Sequence, residues 1–153
     1  MTQALQDRYA PENECFGCGP KNPRGLRLKS RAEGDAVVAE WTPETHHKAF
    51  DGVLNGGIVG ALLDCHSNWT AAWTLMRERG VETPPCTVTA EFHVKLRAPT
   101  PLDRPLELRA KPAQVEGDRV VVEAEMTSAG KVTATCRGVF VAVKEGHPAF
   151  HRW

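Results

Sequence analysis

Between Gly52 and Met76 the chain carries one formally charged side chain, Asp64. Asn55 is a good helix N-cap and Gly80 a good stop, so the spacing predicts a helix over roughly Gly56–Arg79. A helix that is apolar nearly all round is a buried one. One of its stripes carries Ile58, Leu62, Cys65, Trp69, Trp73 and Met76, the side expected to face a sheet. A second carries Gly57, Gly60, Ala61, Asp64, Ser67, Asn68 and Ala71, small and polar. Small side chains allow another element to approach closely, and Asp64 sits in the middle of that stripe.

The rest of the chain is strand and turn. Cys86, Val88, Ala90, Phe92, Val94 and Leu96 alternate with Thr87, Thr89, Glu91, His93, Lys95 and Arg97. Such alternation predicts a long strand with one buried face and places Thr89 on the polar one. Apolar alternation at Leu106–Ala110, Val120–Met126 and Val132–Ala142 gives three more strands, with turns at Gly117-Asp118 and Ala129-Gly130. Upstream, Leu26–Lys29 reads as a strand pairing with Val37–Trp41 across Gly34-Asp35. Residues 43–55 read as a loop. Meander connections predict an antiparallel sheet of about six strands. The fold class is α+β, with one long helix covering the sheet.

A chain of 153 residues is one domain by length. Residues 1–23 read as an extended leader with a short helix near Leu5, residues 24–145 as the folded domain, and 146–153 as a short tail. Nineteen basic and nineteen acidic residues cancel, giving no electrostatic reason to expect nucleic acid or an anionic membrane. The N-terminal stretch has no apolar run, so neither a signal peptide nor a membrane span is expected there. Five scattered cysteines define no disulfide framework. The expected compartment is the reducing cytoplasm.

Several groups could carry chemistry. An ionised Asp64 in an apolar helix is costly unless paired; a bond to Ser67, Asn68 or a loop amide would be its purely structural explanation. Gly56-Gly57 exposes backbone N–H groups at a helix N-terminus, which could stabilise an oxyanion. Cys15 and Cys18 form a CxxC that His46 and His47 could complete as a zinc site, but one CxxC without a second pair reads as two loop thiols. No metal is assigned. Cys65 and His66, adjacent on a helix, point about 100° apart and form no nucleophile pair. His66 is expected to bond Thr70 or line the pocket. Trp41, Trp69 and Trp73 read as core, the latter two also as a wall for an apolar channel. His93, Lys95 and Arg97 share a polar face that could meet a nucleotide phosphate.

The segment Asp51–Asp64 resembles the signature of phenylacetyl-CoA-type acyl-CoA thioesterases, roughly G-x-x-H-G-G, seven residues, then Asp. Gly52, Gly56, Gly57 and Asp64 stand at the matching spacings, and Cys15–Leu26 is similar to the N-terminal stretch of some members. The resemblance, spanning about Cys15–Lys144, implies a hotdog fold, a six-stranded antiparallel sheet wrapped around the buried helix. It implies an acyl-CoA substrate, no cofactor, and Asp64 as nucleophile or general base. It implies Gly56 N–H as oxyanion donor and Thr89, counted back from Pro99, as holder of the attacking water. Asn55 replaces the family's usual His, and Ala49 stands where many members have Asn. Gly57, His47 and Asn68 are the expected substrate contacts. The alternatives are a non-catalytic acyl-CoA-binding hotdog protein, motivated by Asn55, and a hotdog hydratase or dehydratase. That last reaction needs a histidine that the glycine motif lacks.

Gly56 and Asp64 are eight residues apart, about 12 Å along a helix axis. One carboxylate cannot span that gap to a carbonyl held at Gly56. A two-fold homodimer, with one helix start facing the other chain's Asp64, would close it. The resemblance implies such a homodimer, or a homotetramer built from two.

Overall fold

The computed structural model describes residues 2–153. The elements in chain order are α1 (Leu5–Tyr9), β1 (Arg31–Glu33), β2 (Ala36–Trp41), a 3-10 turn at Thr45–His47, β3 (Lys48–Phe50) and β4 (Val53–Leu54). There follow α2 (Gly56–Arg79), β5 (Thr87–Leu96), β6 (Leu106–Glu116), β7 (Arg119–Ser128) and β8 (Lys131–Ala142). Six strands form one antiparallel sheet in the order β1-β2-β6-β7-β8-β5, and β3 and β4 make a separate small ribbon. The loop expected at 43–55 therefore contains that turn and ribbon. No described helix is long and apolar enough to cross a membrane.

Helix α2 spans the expected residues. Asn55 caps it by accepting a hydrogen bond from Ile58 N–H, and Gly80 ends it in the left-handed conformation at φ 62°. It packs against β2, β5, β6, β7 and β8. Leu62, Leu63, Trp69, Leu106, Leu108, Val120, Met126 and Phe140 are essentially solvent-free between them. Each such side chain contributes roughly 1.5–3 kcal/mol by leaving water. Trp41 and Trp73 are buried as expected, and the Ser67–Asn68–Ala71 end of the small stripe is buried too.

Three local expectations change. Leu26 and Leu28 are buried but form no strand. Their N–H groups bond Phe16 and Gly17 carbonyls at 2.7 and 3.1 Å, and Arg27 between them adopts φ 56°. The hairpin across Gly34-Asp35 instead pairs β1 with β2, Glu33 opposite Ala36. The sheet is not a plain meander either. β6, β7 and β8 follow one another, but β5 pairs with β8 on the edge far from β6.

The third change bears on the site. β5 is not one uninterrupted alternation: Thr89 lies opposite Phe140 and Glu91 opposite Val139, leaving Ala90 as a bulge. Opposed residues of an antiparallel pair share a face. Thr87 and Thr89 therefore point inward with Ala142 and Phe140, and Phe92 and Val94 point inward with Gly138 and Cys136. The bulge shifts the phase, so the polar residues of the first half and the apolar ones of the second share the inner side.

The terminal segments also pack on this core. Leu5, Ala10 and Cys18 are buried, and Trp153 stacks on Trp69 with ring centroids 4.5 Å apart.

Candidate active site

Asp64 is half-buried in the third turn of α2, where its small neighbours leave the carboxylate against β5. With Thr89 turned inward, its Oγ1 donates a 2.6 Å hydrogen bond to Asp64 Oδ1. No other side chain among the described residues bonds that carboxylate, so Ser67 and Asn68 do not explain it. Burial raises the Asp64 pKa, and the negative charge of Cys15 adds to this. The Thr89 bond and the Arg152 cation act in the opposite direction without cancelling it. The result is a carboxylate held in place and more basic than an exposed one. It opens onto a cleft of about 690 Å³ also lined by Thr89, Glu91, Phe92, His93, Arg137 and Val139.

The start of α2 supplies the second element. Asn55 Oδ1 takes Ile58 N–H at 3.1 Å, and Asn55 O takes both Ile58 N–H and Val59 N–H. The N–H groups of Gly56 and Gly57 have no acceptor among the described residues. A Cβ on Gly56 would lie 3.3 Å from Leu96 Cδ1, and one on Gly60 3.9 Å from the Phe92 ring. The inner face of β5 thus runs along the small stripe, yet Phe92 and Leu96 are 41% and 61% exposed. An apolar strip is left open beside the free N–H groups, on the edge strand of the sheet.

The remaining candidates fall elsewhere. His47 is held at the 3-10 turn: its Nδ1 accepts from Glu44 N–H at 2.9 Å, and its ring lies 5.0 Å from that of Trp41. Burial, then the neighbouring His46, lowers its pKa. It does not line the cleft. Asn68, one turn beyond Asp64, is buried, and its Nδ2 donates to Thr87 O at 3.4 Å. It ties α2 to β5 rather than facing the cleft. His66 does not bond Thr70 through its ring or line the pocket. Its Nε2 donates to Val37 O at 2.9 Å, which leaves Nδ1 to accept from Ser30 Oγ at 2.8 Å. Ser30 Oγ accepts in turn from Gln6 Nε2. Desolvation pushes His66 down to about 4, so it is neutral.

The CxxC also finds an unexpected partner. His46 and His47 group with Glu44 rather than with the CxxC. Cys65 of α2 closes on Cys15 and Cys18 instead. Hydrogen bonds from the Cys18 and Cys65 thiols hold Cys15 well below the ordinary thiol range, and Cys18 and Cys65 are raised correspondingly.

Arg152 was not singled out from the sequence. Its Nη1 donates to Thr87 O at 3.2 Å and its charge reaches Asp64; nothing in a short C-terminal tail signals such a role. On the outer face, His93, Lys95, Arg97, Arg109, Lys111 and Arg137 line a groove of about 610 Å³ shared with Glu123 and Glu125.

No curated protein matches the chain in sequence. Among solved structures, a thioesterase superfamily protein from Shewanella loihica PV-4 is 29% identical. It covers 91% of this chain and 99% of its own, with a TM-score of 0.71. The S. sahachiroi AziG structure is 20% identical, covers 85% and 99%, and has a TM-score of 0.66. The E. coli PaaI protein from the phenylacetic acid degradation operon is 14% identical, covers 78% and 81%, and has a TM-score of 0.66. The last two share the hotdog fold, the α+β architecture built here by α2 and the six-stranded sheet. The sequence model of the thioesterase superfamily matches residues 51–135, more than half of the chain and all of the segment from the glycine pair through β5. The chain belongs to the thioesterase superfamily.

Proposed function

We propose that the protein is an acyl-CoA thioesterase that works as a homodimer or as a homotetramer of such dimers. The observation that carries this reading is the bond from Thr89 to Asp64 at the cleft. A raised, oriented carboxylate can take a proton from water as that water attacks a thioester carbonyl. The carbonyl oxygen becomes an oxyanion, received by the free N–H of Gly56, with that of Gly57 beside it. The C–S bond then breaks and the coenzyme thiolate leaves. Asp64 acting directly as nucleophile would pass through an anhydride that water cleaves. Single-turnover hydrolysis in ¹⁸O-water separates the two routes: the general-base route puts the label in the product acid, and the nucleophile route, with water cleaving the anhydride at the Asp64 carboxyl, puts it in Asp64.

The two elements lie about 12 Å apart along one helix, so one chain's Gly56 is proposed to serve the partner's carboxylate. The open strip of Phe92 and Leu96, beside the small stripe and on an unpaired strand edge, supports a second copy there. Lys95, Arg97 and Arg137 on the outer groove are suited to the coenzyme's phosphates. Asn55, His47 and Asn68 act in this reading by shaping the helix start and the α2–β5 seam.

The capping bond of Asn55 weakens the hydratase alternative, since that side chain is occupied and cannot titrate. Free-thiol release from a panel of acyl-CoAs tests the proposal. Tight acyl-CoA binding without thiol release would favour a sensor, and water addition to an enoyl-CoA a hydratase.

A further inference from the structure

Cys15 and Cys18 belong to the N-terminal arm and Cys65 to α2, yet their sulfurs all lie within 4.8 Å of one another. None of the three is in a disulfide. Cys15 Sγ and Cys65 Sγ are 3.7 Å apart. Two thiolates bound to one zinc at about 2.3 Å with tetrahedral angles stand about 3.8 Å apart. A disulfide would need the same sulfurs at about 2.05 Å. The spacing is that of a coordination edge, not of an S–S bond.

The arm is shaped to present these sulfurs. Gly19 N–H bonds Cys15 O at 2.8 Å and closes the CxxC turn. The Trp69 indole N–H is buried and has no hydrogen-bond partner. A Cβ at Gly17 would stand 2.4 Å from Cys65 Sγ, so only glycine lets the turn seat against α2. The cluster contains no carboxylate or imidazole, so its donor set is all soft sulfur.

We propose that Cys15, Cys18 and Cys65 bind one thiophilic d¹⁰ cation of the Zn²⁺ class through three thiolates, with the fourth tetrahedral position open to a solvent ligand. Binding releases the thiol protons to solvent and clamps the arm onto α2 one residue beyond Asp64. The site stands independently of the reaction assigned to Asp64.

The test uses the full chain, reduced and stripped of metal. Co²⁺ is titrated as the spectroscopic probe and then displaced with Zn²⁺. The expected result is one equivalent of Co²⁺ showing intense thiolate charge transfer and tetrahedral d–d bands, both abolished by one equivalent of Zn²⁺. Cys18→Ser and Cys65→Ser should each weaken binding by at least about 100-fold, the upper range for losing even an outer-shell partner. Cys86→Ser should leave it unchanged. Alkylation of the wild-type protein, read by peptide mass spectrometry, keeps the test valid should a variant fold poorly: Zn²⁺ should protect Cys15, Cys18 and Cys65 together. A Co²⁺ spectrum without thiolate charge transfer, binding undiminished in Cys18→Ser, or no Zn²⁺ protection of the three thiols would overturn the proposal.

Discussion

The hydroxyl of Thr89 donates to the carboxylate of Asp64 at 2.6 Å, joining the sheet's edge strand to the only charge in the buried stretch of α2. The contact exists because the bulge at Ala90 turns Thr89 inward. It fixes one carboxylate oxygen and leaves the other to the cleft. A side chain that orients the base acts on turnover, not on substrate affinity. Thr89→Ala should therefore lower kcat at least about tenfold with little change in KM, and Thr89→Ser, which keeps the donor, should restore most of it. Steady-state kinetics checks this; a change confined to KM would assign Thr89 to binding.

Gly56 occupies the first helical position, where proline fits and the N–H is already without an acceptor. Gly56→Pro should keep the fold while deleting one oxyanion donor, lowering kcat about 100- to 1,000-fold. Circular dichroism verifies the fold and thiol-release kinetics the loss. Full activity in a folded Gly56→Pro protein would remove this N–H from the reaction.

If each site takes Gly56 from one chain and Asp64 from the other, two dead variants should complement. Gly56→Pro and Asp64→Asn subunits, mixed and exchanged, give heterodimers in which one site carries both defects and the other neither. Statistical mixing predicts recovery to about a quarter of wild-type activity. No recovery despite exchange proven by native mass spectrometry would place both elements in one chain.

The helix was legible in the sequence because its signals are local: Asn55 caps it, Gly80 stops it, and Asp64 is the one charge between. Family resemblance picks out Thr89, but strict alternation puts it on the outer face. Polar Thr87 and Thr89 and apolar Phe92 and Val94 share the inner face only because Ala90 drops out of register, and a strictly alternating sequence conceals that slip. The meeting of Cys65 with the CxxC depends on the arm folding back over α2, held by Leu26 and Leu28 bonding Phe16 and Gly17. No spacing encodes such a contact. The same arm supplies Ser30 and Gln6 to the His66 ring, while Thr70 Oγ1 donates to the His66 carbonyl at 2.8 Å.

His66 gives a pH dependence with a definite sign. Its folded pKa of about 4 lies below the usual value of 6.5. Protons therefore favour the unfolded state between these values. The stability contributed by the neutral ring is complete above pH 6.5 and is lost as pH falls toward 4, by about 3 kcal/mol in all. His66→Gln, which retains a donor for Val37, should flatten that part of the curve. Urea unfolding at several pH values measures it, and an equal slope in both proteins would contradict the buried neutral ring.

Trp153 stacks on Trp69 and is partly buried against the core. Trp153→Ala should cost about 1 kcal/mol, the usual worth of an aromatic pair beyond area burial, with a further contribution from the exposed Trp69 face. Chemical denaturation tests this, and an unchanged midpoint would show that the tail does not dock in solution.

On the proposed function, Asp64 is the group that drives thioester cleavage. Asp64→Asn keeps the size and shape of the side chain and removes its basicity. The most direct measurement is thiol release from the best acyl-CoA substrate by wild-type protein and this variant at saturating substrate. With the fold intact, kcat should fall about 100- to 10,000-fold. A variant that turns over within about threefold of wild type would contradict it and leave Asp64 a structural carboxylate held by Thr89.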